Sequence, residues 1–376
     1  MRSIQMVDTK TQYQKIKAEV DQSVVEVMES SSFINGNVVR EFTSHLSAYL
    51  GVKHTIPCAN GTDALQVAMM ALGLRPGDEV ITPSFTYIAT AEVIALLHLT
   101  PVFVEVDAAT FCMDPVAVEK AVTPRTRAIV PVHLYGQAAP MEEIMTIAKK
   151  YNLFVIEDNA QAIGGEYIFP GGTKKKTGTI GHIGTTSFYP SKNLGAFGDG
   201  GAIFTDDDLL AEKMKMIANH GQSKRYYHDI VGCNSRLDTI QAAILAIKLK
   251  HLDEYILARR KAAGYYDKAF AGQPAIKTPY RAPYAHHVFH QYTLVLEGSS
   301  RDGLNQFLAT NGIPSMIYYP VAGHQQKMFE QFHIATHDMP VTEWLTERVI
   351  SLPMHTELDE EQLYFITSKV LEYITK

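Results

Sequence analysis

The chain has 376 residues, of which 46% are hydrophobic and 20% are charged, and its formal net charge is −6. This composition is typical of a globular protein with one large domain and a smaller one, and it excludes a disordered or collagen-like chain. The acidic balance argues against a broad basic face, so we expect neither nucleic acid nor a membrane as a partner.

The cysteines and the N-terminus favour a cytoplasmic protein. Cys58, Cys112 and Cys233 are far apart and form no Cys-x-x-Cys pair, so the sequence indicates neither a disulfide framework nor a zinc site. The first residues lack the apolar core of a signal peptide, and no apolar run reaches about 18 residues. We therefore expect a cytoplasmic location.

The first 250 residues are predicted to form a largely parallel α/β sheet. Apolar residues at helical spacing predict helices over 13–30 and 38–50, the second of which ends at Gly51. From residue 55 onward, short apolar runs alternate with helical ones, which is typical of such a sheet. Strands are predicted at 56–58, 79–82, 102–106, 128–132, 154–157, 185–189 and 202–205, and helices at 63–72, 86–97, 141–151 and 237–249. The basic run Lys174-Lys175-Lys176 is interpreted as an exposed loop rather than an anion contact.

The composition changes after residue 250. A long helix over 252–271 is predicted to bridge two domains, and the following segment is rich in proline, tyrosine and histidine. A strand at 291–296, a helix at 301–310 and a strand at 314–319 are predicted next. The sequence therefore predicts a large domain over 15–250 and a small α+β domain over 251–376, with the N-terminal segment 1–14 as a candidate to pack on the small domain.

Lys192 is the residue around which the candidate site is built. It follows an aromatic, strand-like run and precedes a turn and the glycine-rich segment 198–201. An isolated lysine is usually a solvated surface charge. This placement instead suits an amine that is held inside a site and forms a Schiff base.

Four further features carry groups that belong in such a site. The turn Asn60-Gly61-Thr62-Asp63 opens a helix, so it either caps that helix or binds phosphate. Asp158 ends a buried strand at the edge where α/β sheets bind ligands; it is a helix cap, a metal ligand or the partner of a protonated ring nitrogen. Ser187 can add a hydroxyl to an anion cradle. Asn234 either reaches a ligand or begins a helix, and Arg236 binds a carboxylate or phosphate or forms a structural ion pair with Asp238 or another acid.

Taken together, these residues indicate one kind of ligand. A phosphate turn, an aromatic residue at Tyr87, the strand-end acid Asp158 and a serine near Lys192 are what pyridoxal 5′-phosphate requires. Competing motifs fit less well. The segment 178–184 has the wrong glycine spacing for a dinucleotide site, and the histidines of 286–290 have no acids nearby, so no metal is predicted.

At these residues the chain resembles the DegT/DnrJ/EryC1/StrS family of sugar aminotransferases, which have the aspartate aminotransferase type I fold. The resemblance covers nearly the whole length. The segments that carry it are 59–65, 76–83, 157–161, 187–195, 198–201 and 234–238.

The resemblance implies a role for each matching residue. Lys192 would carry the cofactor, Asp158 would face its ring nitrogen, Gln161 would contact its ring oxygen and Tyr87 would stack on the ring. The phosphate would be held by Gly61, Thr62, Asp63 and Ser187, with Asn234 reaching it from the other subunit of a homodimer. The family's dehydratase branch has a histidine at the position of Lys192, so the lysine favours transamination.

The resemblance also suggests a substrate. Segments 225–228 and 234–245 are most similar to enzymes that aminate UDP-2-acetamido-2-deoxy-3-oxo-glucuronate with L-glutamate, for cell-surface polysaccharides such as O-antigen. Arg236 would then suit the C6 carboxylate, and Tyr318 and Tyr319 would contact the sugar, although relatives usually have His-Tyr-Pro where this chain has Tyr318-Tyr319-Pro320. The alternatives are a dTDP-linked 3-keto-6-deoxyhexose, a 4-keto sugar, or a cofactor-binding regulatory protein without turnover.

Overall fold

A computed structural model describes residues 2–332 and 338–375 of the chain. Helices and strands alternate along most of it, with short 3₁₀ segments at Leu134–Gly136, Gly323–Gln325 and Lys327–Phe332. The helices are α1 (Thr9–Ser30), α2 (Asn37–Leu50), α3 (Gly61–Leu72), α4 (Ala89–Leu96), α5 (Pro115–Lys120), α6 (Met141–Tyr151), α7 (Asp208–Ile217), α8 (Thr239–Lys250), α9 (Leu252–Phe270), α10 (Arg301–Thr310), α11 (Pro340–Thr346) and α12 (Glu360–Ile374). The strands are β1 (His54–Cys58), β2 (Glu79–Pro83), β3 (Thr100–Val104), β4 (Thr126–Ile129), β5 (Phe154–Asp158), β6 (Glu166–Ile168), β7 (Lys174–Lys176), β8 (Ile183–Ser187), β9 (Gly201–Thr205), β10 (Gln222–Lys224), β11 (Tyr227–His228), β12 (Ile276–Lys277), β13 (Ala285–His286), β14 (Tyr292–Leu296) and β15 (Val349–Leu352).

The predicted fold class is confirmed by the central sheet. In the described part of the chain this sheet has seven strands in the order β1-β9-β8-β5-β4-β2-β3. Its neighbours from β3 to β8 run parallel, and β9 runs antiparallel to both β8 and β1. Parallel strands need long crossovers, and α3, α4 and α6 provide them between consecutive strands.

Local sequence explains where several helices begin and end. Side chains of Asp8, Asn60, Asp207 and Asp359 accept backbone N–H groups in the first turns of α1, α3, α7 and α12. Gly51 closes α2 with a φ of 69°, a left-handed conformation that glycine adopts without strain, which confirms the predicted stop.

Apolar residues from both faces of the sheet form the main cores. One cluster packs α3 and α7 on the sheet, and another packs α5 and α6 on its other face. A separate cluster joins α10, α12, β14 and β15 with the second half of α9, and Ile4 of the N-terminal segment lies in it. Leu252 and Ile256 at the start of α9 pack instead with α2 and α8, so this helix connects the two regions. The division into domains at residue 250 stays a prediction.

Two local predictions are wrong. Lys174–Lys176 is not a loop but the strand β7, which pairs with β6, and Lys174 and Lys176 both pair with Glu166. These cross-strand ion pairs hold a lysine-rich edge strand that has little apolar content. The segment 314–319 forms no strand; a single bridge links Met316 to Ser351, and prolines flank the segment.

Several elements begin or end a few residues away from their predicted bounds. Helix α4 begins at Ala89 rather than at residue 86, because Ser84 to Ile88 form a loop after β2. Helix α7 was not predicted, and neither were the elements after residue 319. The N-terminal segment contacts the α12 region, since the Met354 N–H donates to the Met6 carbonyl and Arg2 pairs with Asp359.

Candidate active site

Three strands bring the predicted site residues to one edge of the central sheet. Asp158 is the last residue of β5 and Ser187 the last of β8, and β1 ends at Cys58, two residues before Asn60. Gly201 pairs with both Cys58 and Ser187, which places the Asn60 turn beside the end of β8. This is the carboxyl edge at which parallel α/β sheets bind ligands.

The Asp158 carboxylate is buried and is oriented by two donors. The Thr90 hydroxyl donates to Oδ2 at 2.7 Å, and the Ala160 N–H donates to Oδ1 at 3.1 Å. Asp158 therefore does not cap a helix, which was one of its three interpretations. Thr90 lies in α4 and was not predicted, because its role depends on how α4 packs against the end of β5.

Lys192 lies in a loop over residues 188–200, which we call the lysine loop. Burial lowers the pKa of the Lys192 amine to about 8, although the nearby Asp158 carboxylate acts in the opposite direction. A lysine with this pKa holds a substantial neutral fraction near neutral to mildly alkaline pH, as a nucleophilic amine requires. Lys192 and Asp158 are thus brought together, as the sequence predicted.

The lysine loop is fixed at both ends and from below. Phe188 donates its N–H to the Gly200 carbonyl at 2.7 Å and accepts the Ala196 N–H at 2.7 Å. Beneath the loop, the buried Lys248 on α8 donates to the Gly195 carbonyl at 2.5 Å. These bonds hold Lys192 in a defined position rather than on a free surface turn.

The N-terminus of α3 forms a tight anion cradle with the end of β8. A Cβ on Gly61 would lie 2.7 Å from the Ser187 Cβ, so only glycine allows this approach. The Asn60 side chain accepts the Asp63 N–H at 2.8 Å. This cap leaves the N–H groups of Gly61 and Thr62 in the first turn for a ligand beside the Ser187 hydroxyl.

Gln161 connects the predicted cofactor contacts to the predicted sugar contacts. Its Oε1 accepts the Tyr135 N–H at 2.7 Å, and its Nε2 donates to the Tyr319 hydroxyl at 3.1 Å. The Tyr319 ring lies 6.2 Å from the ring of the exposed Tyr87, measured between centroids. The Tyr135 hydroxyl in turn donates to the Tyr318 carbonyl. Tyr135 was not predicted, since its role arises only when residues 318–319 fold over it.

Asn234 and Arg236 flank Ser235, which contacts the residue before the Asn60 turn. Between them, the Ser235 hydroxyl accepts the Ala59 N–H at 3.1 Å. Asn234 is exposed, and Arg236 donates to the Asn219 Oδ1 at 3.3 Å. The described contacts link neither side chain to Lys192 or Asp158. No described ion pair includes Arg236, so its predicted alternative of pairing with Asp238 is wrong.

Glu157 precedes Asp158 and has a separate role. Its fully buried carboxylate accepts the N–H groups of Gly178, Ile180 and Gly181 at 2.8, 2.5 and 2.5 Å, and the His133 Nε2 at 2.8 Å. The glycine-rich segment 178–184 therefore wraps a side chain of the protein and not a dinucleotide. The sequence analysis gave Asp158 a role in the site and none to Glu157; in the structure, the alternation of side chains along the strand sends the two acids to different surroundings.

The histidines of 286–290 have local packing roles. His287 accepts the Phe289 N–H at 3.0 Å and stacks on its ring. His290 is buried, and its pKa is well below the usual range because of that burial and the charges of Lys192 and Arg259. Among residues 2–332 and 338–375, no group of three or more His, Cys, Asp or Glu is placed to hold a metal ion.

The donor set fits pyridoxal phosphate. A lysine of lowered pKa, an oriented carboxylate next to it, and a helix N-terminus with a serine hydroxyl correspond to the aldehyde, the ring nitrogen and the phosphate of that cofactor. Gln161 and Tyr87 both lie beside Tyr319: Gln161 donates to its hydroxyl, and the Tyr87 ring is next to its ring. In the described residues, no helix is long and apolar enough to span a bilayer.

Comparison with protein families gives a match over most of the chain. The model of the DegT/DnrJ/EryC1/StrS aminotransferase family matches residues 14–371. Among similar proteins, a pleiotropic regulatory protein of Geobacillus stearothermophilus is 46% identical, over 99% of this chain and 98% of its own length. The UDP-N-acetyl-3-dehydro-alpha-D-glucosamine 3-aminotransferase of Acidithiobacillus ferrooxidans is also 46% identical, over 98% and 97%. The UDP-2-acetamido-2-deoxy-3-oxo-D-glucuronate aminotransferase of Pseudomonas aeruginosa is 44% identical, over 96% and 98%.

Solved structures agree with this match. DesV of Streptomyces venezuelae, determined in complex with a ketimine intermediate, superposes with a TM-score of 0.95 at 38% identity and full coverage of both chains. NtdA of Bacillus subtilis, determined with bound cofactor PMP, has a TM-score of 0.89 at 31% identity, over 96% of this chain and 82% of its own.

Proposed function

Because the chain belongs to the DegT/DnrJ/EryC1/StrS aminotransferase family, we propose that it transfers an amino group from L-glutamate to C3 of a UDP-linked 3-keto sugar. The best candidate is UDP-2-acetamido-2-deoxy-3-oxo-glucuronate. Two relatives at 46% and 44% identity carry names of aminotransferases for UDP-linked 3-keto sugars, which supports this substrate class. The enzyme would act in the cytoplasm, and its product would be a precursor of cell-surface polysaccharides.

The observation that carries the proposal is Lys192 held beside Asp158 next to the α3 cradle. Pyridoxal phosphate is the cofactor, and when bound it supplies an electron-withdrawing ring that stabilises negative charge on the carbon bearing the amine. Asp158, fixed by Thr90, would keep the ring nitrogen of the cofactor protonated. Lys192 Nζ, with its lowered pKa, would move a proton between the substrate carbon and the cofactor carbon. The first turn of α3 and Ser187 would hold the phosphate.

The sugar would lie against Tyr318 and Tyr319. The Tyr319 ring is next to that of Tyr87. The hydroxyl that Gln161 holds on Tyr319 is placed to act as a hydrogen-bond donor or acceptor for a sugar. Tyr318 offers a second phenol where relatives usually have an imidazole. Arg236 is suited to the C6 carboxylate of a uronate, since a guanidinium binds carboxylate at two points.

We propose that Asn234 and Arg236 serve the partner's site in a homodimer. The hairpin β10–β11 and the segment after it carry exposed apolar side chains, with Tyr226 76% and Val231 83% exposed. Such residues on a protruding hairpin are typical of a surface that another subunit covers. Residues 234–236 follow that segment, which would bring them over the neighbouring cradle.

The proposal is tested by cofactor absorbance with purified protein. The wild type is expected to lose the absorbance of the pyridoxal form of its cofactor on addition of L-glutamate. It should regain that absorbance on addition of the keto sugar. Lys192→Ala is expected to abolish both changes, whereas the exposed Lys175→Ala should keep them. Turnover by Lys192→Ala would refute the assignment. Reverse reactions with UDP- and dTDP-linked 3-amino and 4-amino sugars would identify the sugar.

A second candidate function is regulation without turnover. It is favoured by the Geobacillus stearothermophilus relative, which is named a pleiotropic regulatory protein. A protein that only binds the cofactor should show no glutamate-dependent change in absorbance. The same spectra therefore separate the two functions.

A further inference from the structure

Ser84, His324 and Glu343 form a chain of hydrogen bonds away from the cofactor contacts. The Ser84 Oγ lies 2.7 Å from His324 Nδ1, and His324 Nε2 lies 3.4 Å from Glu343 Oε1. Ser84 is fully buried and the His324 side chain is 7% exposed, so the first contact is shielded from water. The three residues come from the loop after β2, a 3₁₀ segment and α11.

The partners of His324 determine where its proton lies. A carboxylate accepts hydrogen bonds only, so Nε2 carries the proton toward Glu343. Nδ1 is then an acceptor for the Ser84 hydroxyl. That hydroxyl also accepts the His324 backbone N–H at 3.2 Å, so Ser84 is bonded twice to the same residue.

The arrangement resembles a nucleophilic triad but cannot act as one. Ser84 is inaccessible to a substrate, and its oxygen is already engaged by the His324 N–H. A nucleophile must reach the reacting atom, which this one does not. The contact therefore connects two parts of the protein.

Those two parts carry Tyr87 and Tyr319, whose rings lie side by side in the candidate site. Ser84 lies three residues before Tyr87 in the loop that leads into α4, and His324 lies five residues after Tyr319. The backbone joins them as well, because the Gly323 N–H donates to the Ser84 carbonyl at 2.7 Å. A Cβ on Gly323 would lie 2.9 Å from the Phe103 ring and 3.0 Å from that carbonyl, so this approach depends on glycine.

We propose that Ser84 and His324 are positioning residues that set the distance between Tyr87 and Tyr319, and through it the fit of the keto sugar. This inference rests on the proposed function, in which Tyr318 and Tyr319 contact the sugar. The glutamate half-reaction depends first on Lys192, Asp158 and the phosphate cradle, and no described hydrogen bond joins these to Ser84 or His324. Tyr87, as a cofactor contact, serves both half-reactions, whereas Tyr319 serves the sugar. Loss of the Ser84–His324 bond should therefore weaken the sugar half-reaction more than the glutamate half-reaction.

Four single variants and one double variant of the holoenzyme test the inference. In His324→Ala the link is lost, while in His324→Asn the amide oxygen takes the place of Nδ1 and can still accept the Ser84 hydroxyl. Ser84→Ala removes the same bond from the other side, and Glu343→Gln leaves it in place. The expected result is a KM for the keto sugar about tenfold higher in His324→Ala and Ser84→Ala, with the glutamate half-reaction little changed. His324→Asn should restore most of the loss, and the double Ala variant should be no worse than either single one.

A crystal structure of His324→Ala gives a readout that does not depend on the sugar. The centroid distance between Tyr87 and Tyr319, 6.2 Å in the wild type, is expected to change. An unchanged distance, or an equal loss in both half-reactions, would overturn the inference even if the wild type turns over keto sugars. If the wild type turns over none of the sugars, the proposed function fails. The distance alone then decides the role of Ser84 and His324. Thermal unfolding shows whether His324→Ala folds; if it does not, Ser84→Ala, which removes only the hydroxyl, carries the test.

Discussion

At the scale of single residues, Lys192 gives a prediction about pH. Its amine has a pKa of about 8, lowered by burial and partly restored by Asp158. In cofactor-free protein, acylation of Lys192 should therefore rise with pH through a midpoint at about pH 8, whereas an ordinary lysine titrates at about 10.4. Asp158→Asn removes the charge that favours the protonated amine, so the midpoint should move to lower pH. Labelling at each pH, quantified by mass spectrometry, measures both midpoints.

A matched control for this titration is Asp199→Asn. Asp199 lies in the lysine loop but is exposed and does not contribute to the pKa of Lys192. Its midpoint should equal that of the wild type. An Asp158→Asn midpoint at or above the wild-type value would contradict the arrangement of the two groups.

The sequence predicted the residues whose chemistry is unusual for their position. Lys192 stood out among glycines, and Asp158 stood out at the end of a buried strand. Thr90, which orients Asp158, and Tyr135, which contacts Gln161 and Tyr318, did not stand out. Both are ordinary in composition and act through partners that lie 68, 26 and 183 residues away. Long-range partners of this kind are set by packing, which local pattern does not encode.

At the scale of elements, the contact of β9 with the start of α3 is testable. A Cβ on Gly201 would lie 2.5 Å from the Asn60 carbonyl, so Gly201→Ala must displace the turn that opens the cradle. We expect cofactor binding to weaken at least about tenfold and stability to fall by about 1–3 kcal/mol, the usual cost of overpacking. Fluorescence titration of the cofactor and urea unfolding measure the two effects.

The control for Gly201→Ala is another glycine-to-alanine change. A Cβ on Gly264, inside α9, meets no atom within 4 Å. Gly264→Ala should leave cofactor affinity unchanged and add up to about 1 kcal/mol of stability, since alanine favours helix. Equal affinities for the two variants would show that the Asn60 turn does not shape the cradle.

Elements were predictable where one pattern dominated. The buried strands of the central sheet and the helices α2, α3 and α6 follow clear apolar periods. The strand β7 was missed because three lysines carry no strand pattern, and only the acid on β6 explains it. The segment 314–319 was misread because its residues Ile317, Tyr318 and Tyr319 pack in the cluster around Phe85, Phe111 and Tyr135 instead of joining a sheet.

At the scale of the whole molecule, the position of Arg236 gives the last prediction. Within one subunit the described contacts do not connect Arg236 to Lys192, and the exposed hairpin before it is suited to reach a second subunit. If Lys192 of one subunit works with Arg236 of the other, two inactive variants should complement each other. Lys192→Ala and Arg236→Ala, each inactive alone, would form mixed dimers with one intact site and one doubly impaired site.

Random exchange of subunits in an equal mixture makes half of the dimers mixed, so about a quarter of the wild-type activity should return. The measurement is turnover of the keto sugar after co-refolding or co-expression, with analytical ultracentrifugation to establish the dimer. Mixing Lys192→Ala with Asp158→Asn is the control. Lys192 and Asp158 belong to the site of the same subunit, so no mixed dimer has an intact site. Activity that stays at the level of the single variants would place Arg236 in its own subunit's site, and the hairpin would then need another role.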